Sequence, residues 1–376
     1  MIVFFWNYLN HHQVCVADEL HRLLGNDFCF VATLSRNEKE LKGGMDYSSR
    51  PYCILAGESA ESHEKALEYA CLADVCVFGA CAQEFAIYRA IHHPEKLSFE
   101  AGERWLKRGF LNILSPVLRT WWLNYHGYYR KANFYKLCSS AFAALDDERL
   151  GCYKNRHYKW GYFTEIQTLS IIDKTKIRNR PIYLMWCGRF IGWKHPELAI
   201  ECAKRLKEEN YEFQLDMYGD GPLRAKCEEL VKKAGLCNEV VLGGNIPNNN
   251  LIQAMRESDI FLFTSDRQEG WGVVANESMA AGCCLVAGDK IGSAPYLIRN
   301  GVNGYMFRDK DADSLYRIVK QLMDNPNERI QLVKQAQEDM VTLWSPHCAA
   351  KNFLQLVDDI IHERKTSIKE GPCSKA

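Results

Sequence analysis

The 376-residue sequence has no Cys-x-x-Cys pair, although it contains 16 cysteines. That absence removes the spacings of small zinc sites and of thioredoxin-like redox centres. A disulfide framework suits short secreted chains. The start of the chain, Met1-Ile2-Val3-Phe4-Phe5-Trp6, also lacks the basic segment of a secretory signal. Cys29, Cys53, Cys76, Cys187, Cys202 and Cys284 lie in apolar stretches instead. They read as small buried hydrophobes, and a reducing, cytoplasmic setting is expected. Charge of neither sign dominates, since 47 Lys plus Arg face 47 Asp plus Glu. The balance argues against a nucleic-acid partner. No apolar run reaches the roughly 18 residues that would cross a bilayer. No Gly-x-Gly-x-x-Gly follows the first strand, which disfavours a dehydrogenase built on NAD. Low-complexity tracts and short repeats are absent too.

What is present is an alternation of short apolar runs and amphipathic stretches. Strands are expected at residues 1–6, Phe28 to Ala32, Tyr52 to Ala56 and Asp74 to Phe78. Helices are expected from Val14 to Leu24 and from Glu61 to Ala73. Such alternation predicts parallel sheets covered on both faces. Residues 99–131 break the rhythm with tryptophans, tyrosines and a surplus of Arg and Lys. Lys136 to Phe142 reads as a return to strand, and 164–180 as a polar linker. The alternation restarts at Ile182 and runs to the helix Leu315 to Asp324. A last amphipathic helix holds Ala349, Ala350, Phe353, Leu354, Val357, Ile360 and Ile361. The tail after Arg364 is polar, and fraying is expected there.

Parallel α/β sheets place ligands at the carboxyl ends of their strands. After the strand 182–187 comes Gly188-Arg189-Phe190-Ile191-Gly192-Trp193-Lys194. Arg189 supplies a fork and Lys194 a point charge, the pair a diphosphate needs. Two solvated cations are the plainer reading of that spacing. Gly219-Asp220-Gly221-Pro222 is a turn before a helix and says little about function by itself. The strongest segment runs from Thr264 to Gly282, from a strand end through a Gly-rich loop into a helix. Gly270 and Gly272 let a phosphate approach backbone N–H groups there. Glu269 and Glu277 are poor phosphate ligands but natural partners for sugar hydroxyls.

This segment resembles the Glu-x7-Glu signature of retaining glycosyltransferases of the GT-B fold, in particular glycosyltransferase family four. The likeness continues through Gly188-Arg189 with Lys194, Gly219 to Pro222, and Gly301-Val302-Asn303-Gly304, in the family's order. The resemblance over residues 1–180 is looser. It implies an α/β architecture of two Rossmann-like domains facing across a cleft. An acceptor-binding domain would span 1–170 and a nucleotide-sugar-binding domain 181–344. A C-terminal helix, 345–365, would cross back to the first domain. Arg189 and Lys194 would hold the donor diphosphate, and Glu269 the hydroxyls of the donor sugar. Gly188, Gly270, Trp271, Gly272 and Val273 would line the donor with backbone, and Glu277 would bind the ribose. Two departures stand out. Pro295-Tyr296 replaces a glutamate frequent after the turn near Gly292, and Cys283-Cys284-Leu285 replaces a Pro-Val-Val type run. Neither touches the expected donor contacts.

The resemblance further implies sugar transfer from a UDP- or GDP-sugar with retention, without metal or cofactor. No Asp-x-Asp metal motif lies near the Gly-rich loop in the sequence. The acceptor would be a saccharide or a lipid-linked saccharide, as in cell-surface polysaccharide synthesis. Early loops of such enzymes face the donor, which nominates His12 as catalytic and His11 and Asn10 as acceptor-side residues. The plainer alternative is a pair of loop histidines with Asn10 capping a helix. Segment 99–131 could meet a membrane surface peripherally or simply pack on its domain. A UDP-sugar 2-epimerase and a non-catalytic nucleotide-sugar binder remain as other functions for the same scaffold.

Overall fold

The computed structural model describes residues 1–34, 47–80, 82–166 and 180–376. Most of the expected linker 164–180 lies outside them. The chain divides into two compact units, Met1–Glu165 with Leu343–Ala376, and Ile166–Thr342.

The first unit begins with β1 (Ile2–Trp6), α1 (Val14–Leu24), β2 (Phe28–Ala32), β3 (Cys53–Leu55) and α2 (Ala60–Leu72). It continues through β4 (Val75–Phe78), α3 (Gln83–His92), β5 (Leu97–Gly102), α4 (Pro116–Gly127), β6 (Phe134–Cys138), α5 (Ala143–Arg149) and β7 (His157–Lys159). The seven strands form one parallel sheet in the order β3-β2-β1-β4-β5-β6-β7. Every residue of β1, β2 and β4 is buried. Continuous apolar strands of this kind are what a sheet covered on both faces requires. Helix α1 buries Val14, Ala17 and Leu20, spaced at one helical turn. Ser59 starts α2 by accepting the Ser62 N–H at 3.0 Å.

Residues 99–131 do not break the rhythm. They contain the end of β5 and all of α4, so the segment is one more strand–helix step. Its irregularity comes from polar groups buried inside the sheet. Lys136 on β6 is fully buried and reaches Glu100 on β5 at 2.9 Å. Arg104 forks onto buried Asp146 at 3.0 and 3.1 Å. The strand expected at Lys136 begins two residues earlier, at Phe134, and the chain turns into α5 after Cys138. Nor does the end of the chain fray. Cys373 is buried, and residues 373–376 pair antiparallel with β7 through Cys373 N–H to Lys159 O (2.7 Å) and Lys159 N–H to Ser374 O (2.8 Å). The polar composition concealed this, because the pairing uses backbone groups and covers an open sheet edge.

The second unit runs β8 (Ile182–Cys187), α6 (Pro196–Glu208), β9 (Phe213–Tyr218), α7 (Arg224–Lys233), β10 (Val240–Gly244), α8 (Asn248–Glu257) and β11 (Ile260–Phe263). It closes with α9 (Val274–Ala280), β12 (Cys284–Gly288), α10 (Ala294–Leu297), β13 (Tyr305–Phe307), α11 (Ala312–Asp324) and α12 (Pro326–Thr342). Its six parallel strands are ordered β10-β9-β8-β11-β12-β13. That is the doubly wound order, with the direction of winding reversing between β8 and β11. Cys283 and Cys284, the second departure noted above, are fully buried, and Cys284 opens strand β12.

The final helix, α13 (Pro346–Ile361), belongs to the first unit and packs against α1. Its Phe353 sets its ring edge-on to Phe4 (5.4 Å), Phe99 (5.5 Å) and Trp160 (5.9 Å). Among the described residues no helix is long and apolar enough to cross a membrane.

Candidate active site

In open parallel sheets, ligands bind beyond the carboxyl ends of the strands where the winding reverses. In the second unit that point lies after Cys187 of β8 and Phe263 of β11. The first loop carries Gly188 to Lys194, and the second carries Thr264 to Val273.

The two loops are tied together. Trp186 is buried and donates its indole N–H to the Thr264 hydroxyl at 2.8 Å. That hydroxyl in turn reaches the Lys194 carbonyl (2.7 Å) and the His195 carbonyl (3.0 Å). The Asp266 N–H donates to the Trp193 carbonyl at 2.9 Å. Thr264→Val keeps the shape but leaves a buried indole N–H and a carbonyl unpaired. We expect a loss of about 2 kcal/mol in urea unfolding and a raised KM for donor.

Asp266 is a second tie. It accepts from the Gln268 N–H at 2.9 Å, sits 3.0 Å from Lys310 and meets His195 at 3.3 Å. Burial opposes its ionisation, but these bonds outweigh burial and hold its carboxyl below the usual range. His195 is pushed the other way, up, chiefly by its 2.8 Å bond to Glu197. Lys310 comes from an Asp-x-Asp stretch after all, Asp309-Lys310-Asp311. The fold brings it beside the loop that the sequence order kept away. Asp311 is already committed to capping α11, accepting the Ser314 N–H at 2.9 Å.

A third support comes from Gly219-Asp220-Gly221-Pro222. Gly188 and Phe190 donate their N–H groups to Tyr218 (3.0 Å) and Asp220 (2.9 Å). Gly219 has φ +127°, and a side chain there would collide with the Gly188 carbonyl. The turn that says little alone is the shelf under the Arg189 loop.

Lys194 and Glu269 form an ion pair, both largely shielded from water. Arg189 is exposed and lies over the Trp193 ring at 5.6 Å. Its guanidinium has no hydrogen bond or ion pair among the described residues. The N–H groups of Gly270, Gly272 and Val273 likewise have no partner among the described residues. Gly272 has φ +83°, and a side chain there would overlap the Phe263 ring. Glycine thus lets this stretch of backbone stay open. Trp271 is fully buried and donates its indole N–H to Asn276 at 2.8 Å, so its side chain is committed inside the unit. Its ring also meets Tyr296, 6.2 Å away, which gives the Pro295-Tyr296 departure a packing role.

Glu277 on α9 is only 8% exposed, and its carboxyl has no hydrogen bond or ion pair among the described residues. Burial alone pushes its carboxyl up to about 7. The Cys187 thiol, at the end of β8, is pushed up to about 12, by burial first and then by Glu277, with Lys194 opposing. Glu277 and Lys194 thus both lie within electrostatic reach of the same thiol. The structure brings Gly188, Lys194, Glu269 and Glu277 together, with Arg189 on the same loop.

The candidates of the first unit form their own group. Asn10 caps a turn, its side chain accepting the His12 N–H at 2.9 Å. The rings of His11 and His12 lie 3.8 Å apart, and Tyr162 stacks on His12 at 5.0 Å. Burial, then the neighbouring His11, lowers the His12 imidazole to about 3. Burial lowers His11 as well. Nδ1 of His12 is buried with no hydrogen-bond partner among the described residues. His12 is thus a neutral donor or acceptor at ordinary pH and never a cation for phosphate.

Residues 168–339 match the family model for glycosyl transferases group 1. The chain carries a group 1 glycosyl transferase domain. Among curated proteins it is 26% identical to the amylovoran biosynthesis glycosyltransferase AmsK of Erwinia amylovora over 185 residues, 48% of this chain and 45% of that protein. It is 28% identical to the 2-deoxystreptamine glucosyltransferase of Streptomyces kanamyceticus over 159 residues, 42% of this chain and 40% of that one. The matches thus span less than half the length of these relatives. Among solved structures, Anabaena Alr3699/HepE in complex with UDP superposes with a TM-score of 0.71 at 15% identity, covering 95% of this chain and 99% of that one. The group 1 domain and this likeness place the two Rossmann-like units in the GT-B fold. The sequence placed Gly219 and Thr264 within the resembling segments without their supporting roles, and it gave no role to Asp266 or His195.

Proposed function

We propose that this chain is a retaining glycosyltransferase that moves a sugar from a nucleoside-diphosphate sugar to a saccharide or lipid-linked acceptor. One observation carries the reading. An unpaired guanidinium, three unpartnered N–H groups, a Lys194–Glu269 pair and a buried solitary carboxyl converge where the second sheet reverses its winding. Anions satisfy the guanidinium, the N–H groups and Lys194, and hydroxyls satisfy Glu269 and the buried carboxyl. A diphosphate flanked by two sugar rings presents both chemistries.

In the proposed reaction the acceptor oxygen bonds to the anomeric carbon as the bond from that carbon to the diphosphate oxygen breaks. The acceptor's proton passes to the departing phosphate oxygen. Negative charge grows on the diphosphate, where Arg189, Lys194 and the N–H groups of Gly270, Gly272 and Val273 stabilise it. These groups supply the stabilisation without a metal or cofactor. Glu269, held by Lys194, orients the donor sugar through its hydroxyls, and Glu277 accepts from the ribose. His12, neutral and partly unsatisfied, is proposed to hydrogen-bond a sugar hydroxyl, with His11 and Asn10 shaping its loop.

Alr3699/HepE was also solved with UDP and glucose, which makes UDP the first nucleotide to try. UDP or GDP at 100 times its Kd is expected to stabilise the fold by about 2.7 kcal/mol in a thermal-shift titration. No shift with any nucleoside diphosphate or sugar nucleotide would remove the donor-site reading. Release of nucleoside diphosphate only when acceptor is present then separates transfer from epimerisation.

A further inference from the structure

Half of the large apolar side chains that stand exposed among the described residues lie in one short stretch. Eight of 16 fall between Phe110 and Tyr128. Phe110, Leu111, Leu114, Val117 and Leu123 are each 60–73% exposed. They sit on the 3-10 helix Gly109–Leu114 and on α4, which follows after Ser115 and packs against it. The Arg119 guanidinium bonds the Ile113 carbonyl at 3.1 Å and holds the two pieces together. The inner face of α4 is anchored by buried Leu118, Asn124 and Tyr125, so the outward apolar groups are presented by a fixed element. Scattered apolar residues are ordinary on a surface, but a concentration of this kind marks a docking face.

The charge around it has one sign. From Arg104 to Leu145 the sequence contains no Asp or Glu and seven Lys or Arg. Three of these are used internally: Arg104 with Asp146, Lys107 with Glu103, and Lys136 with Glu100. Arg108, Arg119, Arg130 and Lys131 are exposed and have no acidic partner among the described residues. Exposed Trp122 and Tyr128 lie beside them in sequence. Apolar groups flanked by aromatics and unpaired cations match the layering of an anionic lipid surface, with acyl chains beneath and phosphates above.

We infer that Gly109–Lys131 is a membrane-docking element that seats the first unit on an anionic bilayer. It adds a partner to the proposed transferase, and it stands on residues separate from the donor site. The test is co-sedimentation of the full chain with vesicles. Binding is expected to vesicles holding phosphatidylglycerol and not to pure phosphatidylcholine, and it should weaken with salt. Leu111→Ser with Leu114→Ser should lower vesicle affinity at least tenfold. Arg108→Gln with Arg130→Gln should lower it by about fivefold per cation removed. Both variants should keep the UDP affinity of the parent, so failure here is distinguishable from failure of the donor site. Absence of binding to anionic vesicles, binding indifferent to both variants, or self-association through this face in sedimentation would each overturn the inference.

Discussion

Replacing Arg189 and Lys194 together with alanine is expected to reduce transfer by about 10²–10⁴-fold, since charge-assisted hydrogen bonds each contribute roughly 1.5–3 kcal/mol. The two single variants should differ in a telling way. Arg189 has no ion pair among the described residues, so Arg189→Ala should leave the melting temperature unchanged while weakening diphosphate binding. Lys194 neutralises Glu269 in a shielded position, so Lys194→Ala leaves that carboxylate alone and should destabilise the fold. Adding Glu269→Gln to Lys194→Ala should restore stability without restoring transfer. Steady-state kinetics beside thermal melts reads all four variants. Normal turnover by folded Arg189→Ala, Lys194→Ala protein would show that the diphosphate binds elsewhere.

Glu277→Gln is expected to make the protein more stable and a poorer binder of nucleotide. The folded carboxyl stands at about 7, against 4.5 for an ordinary glutamate. Below pH 4.5 it is protonated in both folded and unfolded chains, and it costs nothing. Between those values the folded protein keeps a proton that the unfolded chain releases, so stability falls as pH rises. Above about 7 the buried charge costs the fold on the order of 3 kcal/mol. The Gln variant should therefore gain most in melting temperature at pH 8 and least at pH 4.5. Nucleotide binding runs the opposite way. The carboxylate accepts ribose hydroxyls best when ionised, so parent affinity for UDP should rise through pH 7, more steeply than in the variant. An identical pH profile for UDP binding in both proteins would remove Glu277 from the ribose site. The pairing of better stability with worse binding is expected of a group kept buried for a ligand.

The second unit was readable because its signals are local. Each of its central strands is a short apolar run with glycine soon after, and the loops that follow hold Arg189, Lys194 and Glu269 at strand ends. The first unit was less readable where polar side chains enter the sheet. Ser98 and Glu100 on β5, and Lys136 on β6, look like surface positions until their partners are known. Those partners stand far off in sequence, as with Lys136 and Glu100. The same distance hid the Lys194–Glu269 pair and the Thr264 tie. Glu277 was legible as a carboxyl on a buried helix face, but its solitude was not, because isolation is a property of every surrounding element. The docking stretch 109–131 was visible as a composition, whereas the outward direction of Leu111 and Leu114 belongs to the fold.

Helix α13 and the strand-like tail have a further consequence for how the protein is made. The first unit is interrupted in sequence by the whole of the second. On the ribosome, residues 1–165 emerge early but lack Phe353, which fills the space between Phe4, Phe99 and Trp160. The second unit can close its own core while the first still waits for residues synthesised after it. A fragment cut after Glu165 would present that waiting surface to solvent and to chaperones, so splitting the units for separate expression calls for a grafted α13 or a circularly permuted chain.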